Sequence, residues 1–162
     1  VENRLIEQTG RLVDEHENEM LNKRLRTIDD AKCFVIYEND DVCIYISQRD
    51  IRNFQLAKAA IKTGIEMLIE KQGADADHID TIYIAGGFGS HISSENLFKC
   101  GLMPFVHKNI KVVGNTSLKG SIKSVCDDEI KARITDFSKK VEVFLLAEHP
   151  NFQMLFVDNM MF

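Results

Sequence analysis

Ile82-Tyr83-Ile84-Ala85-Gly86-Gly87-Phe88-Gly89-Ser90 is the stretch on which the reading of this sequence turns. A short run of β-forming residues, starting at Thr81, meets three glycines within four positions. A helix is expected soon afterwards, from Ser93 or Ser94 to Cys100, closed by Gly101. Two readings stand side by side. Either the glycines let main chain approach a ligand, offering free peptide N–H groups to oxygen or ring-nitrogen acceptors, or they form a tight strand-to-helix turn whose small residues serve packing alone. In open α/β sheets ligands collect at the carboxyl ends of strands, where this turn falls.

Outward from that turn, strands alternate with helices. Upstream, residues 32–38 and 42–46 are β-type runs around Asn39-Asp40-Asp41, a hairpin pattern. Ser47 and Asp50 have the spacing of a capping box, and apolar residues at Ile51, Phe54, Ile61, Ile65 and Leu68 mark a long helix stopped by Gly73. Downstream, 110–113 reads as a strand, Gly114-Asn115-Thr116-Ser117 opens a helix to about Val125, and a second helical piece spans 128–139. Residues 141–145 read as a strand and 151–160 as an apolar helix. The first 30 residues are strongly charged, and Thr9-Gly10 divides them into a short helix, a turn and a polar connector. This order gives an α/β layered fold, with 1–162 as one domain or lobe. A hairpin segment occupies about 30–47 and an α/β core 48–162.

Composition narrows the function. Twenty Lys and Arg against 25 Asp and Glu leave a net charge of −5, so no basic face and no nucleic-acid partner is expected. The apolar run 141–147, interrupted by Glu142, is too short to cross a bilayer, and no secretory signal is expected. Cys33, Cys43, Cys100 and Cys126 form no C-x-x-C pair, which excludes a zinc ribbon or a cluster-binding quartet. Cys33 and Cys43 flank one hairpin, yet free, buried thiols in a reducing cytoplasm are the expectation. The chain opens on Val1 within a charged helical pattern, as a fragment would.

Several motifs are absent. Ile92 stands where a dinucleotide fingerprint beginning at Gly87 needs glycine, and no G-x-x-x-x-G-K-S/T phosphate loop occurs. His16-Glu17-Asn18-Glu19-Met20 lacks the second histidine of a zincin helix, and G-x-S-x-G is missing. His16, His78, His91, His107 and His149 show no metal-ligand spacing.

Several segments carry a resemblance: Leu5-Ile6-Glu7-Gln8-Thr9-Gly10-Arg11-Leu12, Ser47-Gln48-Arg49-Asp50-Ile51-Arg52, Gln55 to Ile65, the glycine stretch itself, and Val113-Gly114-Asn115-Thr116-Ser117-Leu118-Lys119-Gly120. In that order they resemble the C-terminal ATPase domain of the reductive activators of corrinoid proteins. These belong to the superfamily of actin, sugar kinases and heat-shock chaperone ATPases. The implied fold is the C-terminal lobe of an actin-like (ribonuclease H-like) ATPase, a sheet flanked by helices with an attached β-hairpin. The resemblance also implies that Gly86 and Gly87 form an adenosine motif, with Phe88, Gly89 and Ser90 lining the nucleoside pocket. Gly120 would then allow close helix approach at the hinge between lobes.

The implied parent binds ATP or ADP with Mg²⁺, carries a [2Fe–2S] cluster on an N-terminal domain outside this chain, and reduces Co(II) corrinoid on a methyltransferase protein to Co(I). A homodimer is open to such a parent. The fragment, having no upstream phosphate loops, is not expected to hydrolyse ATP alone, and no catalytic residue is assigned. The alternatives are a non-enzymatic module that senses nucleotide or docks a partner, and another iron–sulfur ATPase activator of the same superfamily. Asn115 suits a nucleotide contact and a helix cap equally. Lys58 and Gln55 on the long helix are candidates for the cleft edge, although for Lys58 a solvated ammonium over an apolar stem is the simpler expectation. His91 reads as a surface-loop histidine, 14–19 as a solvated connector, and the apolar end of the chain as a core helix.

Overall fold

The computed structural model describes residues 2–87, 93–105 and 109–162, leaving aside the side chain of Ser94. Its spine is helix α2, Gln48–Lys71, preceded by the short helix α1, Glu19–Asn22, and three strands, β1 (Leu25–Ile28), β2 (Ala31–Glu38) and β3 (Cys43–Ser47). Ser47 begins α2 as the spacing predicts. Its hydroxyl accepts from the Asp50 N–H at 3.2 Å while the Asp50 carboxylate accepts from the Ser47 N–H at 2.9 Å. The same hydroxyl donates to that carboxylate and is the main cause of its lowered pKa. At the other end Gly73 N–H donates to Glu70 O and Ala74 N–H to Ile69 O, the double bond pattern that seals a helix terminus.

The expected hairpin is present but has a third strand. β1 pairs antiparallel with β2 from Leu25↔Phe34 to Ile28↔Ala31, through a two-residue turn at Asp29 and Asp30, both at positive φ. β2 pairs with β3 through Phe34↔Ile46 and Tyr37↔Ile44, with an irregularity between Val35 and Tyr37. The helix expected near the start is replaced by a small loop closed by an Ile6↔Leu12 bridge. The reason is local: Gly10 turns at φ 84, and Glu7 donates its N–H to Arg11 O, so the apolar pairs Leu5-Ile6 and Leu12-Val13 meet across a turn rather than along a helix face. Residues 14–19 are exposed or half-buried, as expected, with Asp14 ion-paired to Lys32 and Arg11; the hydrogen bond from Lys32 is the main cause of its lowered pKa.

Beyond α2, strand β4 (Ile82–Ala85) and strand β5 (Ile110–Gly114) form a two-stranded parallel sheet, with helix α3 (Ser94–Lys99) between them in sequence. Helices α4 (Thr116–Cys126) and α5 (Asp128–Ser138) follow. Asp127 ends the first and caps the second by accepting from the N–H groups of Glu129 and Ile130. The strand expected over 141–145 does not form. No strand of the described residues pairs with it, and it is instead fastened to the end of α2, where Lys71 ion-pairs with Glu142 at 3.5 Å and lies 4.7 Å over the Phe144 ring. Helix α6, Phe152–Met160, packs on α2 as the core helix expected there.

The α2–α6 contact is polar at its centre. Gln55 is fully buried, and its Nε2 donates to Thr9 O at 3.1 Å and Met160 O at 2.8 Å, while Oε1 finds no partner among the described residues. Asn159 donates to Thr63 Oγ1 and Glu66 Oε2. Lys58, expected in solvent, is only 3% exposed: its ammonium donates to Met161 O and lies 4.8 Å over the Phe162 ring, which stacks on Phe54. Leu12, Cys33, Val35, Ile51, Ala59 and Met67 are buried apolar residues of the core. All four cysteines are free thiols, Cys33 buried but Cys43 and Cys126 exposed.

Two outcomes follow. A Cβ at Gly10 would stand 2.2 Å from Gln55 Oε1, on a residue already at positive φ. Gly10→Ala is therefore expected to lower unfolding free energy by about 2–4 kcal/mol, combining backbone strain with overpacking, as read from denaturant midpoints. Burial, and secondarily Lys62, lowers the Lys58 pKa. The unfolded chain then binds more protons than the folded one between that lowered value and the ordinary lysine range, so this group's contribution to stability rises with pH across that window. Wild type should gain on Lys58→Met in paired denaturation curves as pH climbs toward that range.

Candidate functional site

β4 and β5 run parallel in the register Ile82↔Ile110, Tyr83↔Lys111 and Ile84↔Val112, then slip so that Ala85 lies opposite Gly114. β5 thus ends in Gly114 opposite Ala85, the last residue of β4, and Gly86 follows directly. Gly86 N–H donates to Gly114 O at 2.8 Å, with Gly86 at φ 98 and Gly114 at φ 70. These are left-handed conformations that suit glycine and turn successive peptide groups away from the ladder. A Cβ at Gly86 or Gly87 would meet nothing within 4 Å among the described residues. An apolar groove of about 620 Å³ adjoins the turn, walled by Ile61, Ile65 and Leu68 of α2, by Tyr83 of β4, and by Leu97 and Leu102 around α3.

Of the residues singled out from sequence, Gly86, Gly87 and Asn115 come together at the carboxyl ends of the two strands. Phe88, Gly89, Ser90 and His91 lie outside the described residues. Asn115 serves as the cap of α4, its Oδ1 accepting from the Leu118 N–H at 3.0 Å. Gln55 and Lys58 belong to the α2–α6 contact instead of the glycine ends, because carbonyls of Met160 and Met161 engage their donors. Gly120 has open space at its Cβ position, so the close helix approach expected of it is not made among the described residues. Lys119 went unremarked in the sequence. Its ammonium donates to Val113 O at 3.0 Å and lies 3.8 Å from the Cβ position of Gly114, which sets a cation beside the glycine ends. Its place four residues after Asn115, one helical turn on, was the available signal.

Chemically, the described residues offer curved main chain, an apolar wall and the Lys119 ammonium at these ends. That suits a flat, partly apolar ligand with an anionic tail. Among the described residues no three His, Cys, Asp or Glu side chains are close enough together to hold a metal ion, and no helix is long and apolar enough to cross a membrane.

Comparison with known proteins gives a consistent picture. A family model described as the C-terminal domain of RACo, the ASKHA domain, matches residues 1–162. The corrinoid activation enzyme RamQ of Eubacterium limosum is 34% identical over 121 residues, 74% of this chain and 20% of that protein. The [Co(II) methylated amine-specific corrinoid protein] reductase of Methanosarcina barkeri is 26% identical over 98 residues, 60% of this chain and 18% of that protein. A solved reductive activator for corrinoid, iron–sulfur protein superposes with a TM-score of 0.84 at 27% identity, over 97% of this chain and 25% of its own length. The chain therefore spans about a fifth of the curated relatives it matches. With the whole of its length matched and the actin-like arrangement of sheet and helices shared, the chain belongs to the family of RACo C-terminal ASKHA domains.

Proposed function

We propose that this chain is the C-terminal nucleotide-binding lobe of an ATP-dependent reductive activator that returns Co(II) corrinoid of a methyltransferase protein to Co(I). The observation that supports it most is the pair of glycine ends, Gly86-Gly87 and Gly114, hydrogen-bonded side by side at the carboxyl edge of a parallel sheet. Among the described residues nothing stands within 4 Å of the Cβ positions of Gly86 and Gly87, which fits a nucleoside laid against the main chain. In this reading Gly86 and Gly87, with Phe88, Gly89 and Ser90 following, hold the adenosine. Asn115 keeps α4 starting where its first N–H groups face the same edge, and Lys119 supplies positive charge toward the phosphates.

Bound ATP with Mg²⁺ would supply the free energy of hydrolysis, and a [2Fe–2S] cluster elsewhere in the longer protein the electron. This chain's own part is to bind and orient the nucleoside. Its main chain also links that site to α2, whose Ile61, Ile65 and Leu68 wall the adjoining groove.

The test is anaerobic. Full-length protein, a Co(II) corrinoid protein and a low-potential reductant are mixed with and without Mg-ATP, and the visible spectrum is followed for Co(I). ATP-dependent Co(I) formation is expected, with Gly87→Val lowering its rate by at least about tenfold, or about 1.4 kcal/mol. If nucleotide binds yet Co(I) formation is indifferent to it, the activator reading falls and a module that senses nucleotide without turnover replaces it.

A further inference from the structure

We propose that His149 is a proton-sensitive latch at the start of α6, holding that helix in place while its ring is neutral and loosening it when the ring takes up a proton. α6 begins without the usual device. Its cap residue, Asn151, makes no side-chain hydrogen bond to the first turn, and no acidic residue stands in that turn. The side chain that engages the approach is His149, which is half-buried. Its Nδ1 accepts from the Asn151 N–H at 3.3 Å, and its main-chain carbonyl accepts from the Phe152 N–H at 3.0 Å, a turn that encloses Pro150. The ring also packs edge-on to Phe144, with centroids 6.1 Å apart, and the Lys71 ammonium lies 4.7 Å over that same Phe144 ring.

A main-chain N–H can only donate, so the Asn151 contact needs the lone pair of an unprotonated Nδ1. A proton there sets donor against donor. It also puts a positive charge at the positive end of a helix whose first turn holds no carboxylate to offset it. Around the ring, Lys71 of α2 adds a like charge, Glu142 is already paired with Lys71 at 3.5 Å, and Glu148 precedes His149 in the chain. α6 itself carries no charged residue before Asp158. Histidine is the side chain that ordinarily changes charge between about pH 5 and 8, so the latch is closed at neutral pH and opens in acid. What hangs on α6 is the polar contact with α2: Asn159 bonded to Thr63 and Glu66, and the Met160 carbonyl to Gln55. His16 repeats the geometry before α1, its Nδ1 accepting from the Asn18 N–H at 3.0 Å, but α1 is only four residues long.

Hydrogen exchange of the full-length protein, read by mass spectrometry over residues 152–160 at about pH 7.5 and about pH 5.5, tests this. Once intrinsic exchange rates are divided out, local opening of α6 in wild type is expected to rise at least about threefold at the lower pH. His149→Asn keeps a neutral acceptor two residues ahead of the same N–H, and should hold the neutral-pH level of opening at both values. His149→Ala has no acceptor and should be as open at about pH 7.5 as wild type is in acid. Wild-type exchange that is the same at both pH values would overturn the proposal. So would an Ala variant that stays closed at neutral pH, or an Asn variant that still loosens in acid, which would assign the titration to another group such as His16.

Discussion

One buried amide ties the ends of this chain together. Gln55 on α2 donates from a single nitrogen to Thr9 O and to Met160 O, carbonyls 46 and 105 residues away in sequence. An unmet buried carbonyl costs more than a made hydrogen bond contributes, so the loop at Gly10 and the end of α6 are both held to one face of α2. Lys58, one turn further along, does the same for Met161 O, and Asn159 reaches back to Thr63 and Glu66. α2 thus works at two levels along its length. Gln55 and Lys58 in its first half gather the chain termini, while Ile61, Ile65 and Leu68 in its second half wall the groove beside the glycine ends.

Much of this framework was legible locally. The Ser47–Asp50 box, the Gly73 stop and the hairpin around residues 39–41 depend on residues within a few positions of each other, and all form as read. What was not legible depended on partners far away. β1 is four residues long and carries Arg26 and Thr27, so only its pairing with Cys33 and Lys32 makes it a strand. Residues 141–145 have strand composition but pair with no strand among the described residues, and Lys71 draws them to α2. A lysine on an amphipathic helix reads as solvated, and nothing near Lys58 in sequence announces an acceptor 103 residues on.

The candidate site divides along the same line. Gly86 and Gly87 stood out because three glycines after a β-type run are unusual at any distance scale. Their alignment with Gly114 needed the parallel register, including the slip between Ile84 and Ala85 that sets Ala85 opposite Gly114. Lys119 became visible only when α4 was seen to start at that edge, with Asn115 fixing where its first turn begins.

Ser47 belongs to two elements at once, as the last residue of β3 and the cap of α2. No linker intervenes to absorb rotation, so strand and helix move as one lever. Twenty-four residues of α2 make that arm about 36 Å long. A tilt of about 5° at the strand end sweeps the far end of the helix through about 3 Å, roughly two residues of helical rise. The apolar wall beside the glycine ends lies along the distal half of that arm, so a small rotation of the antiparallel sheet would be magnified at the groove.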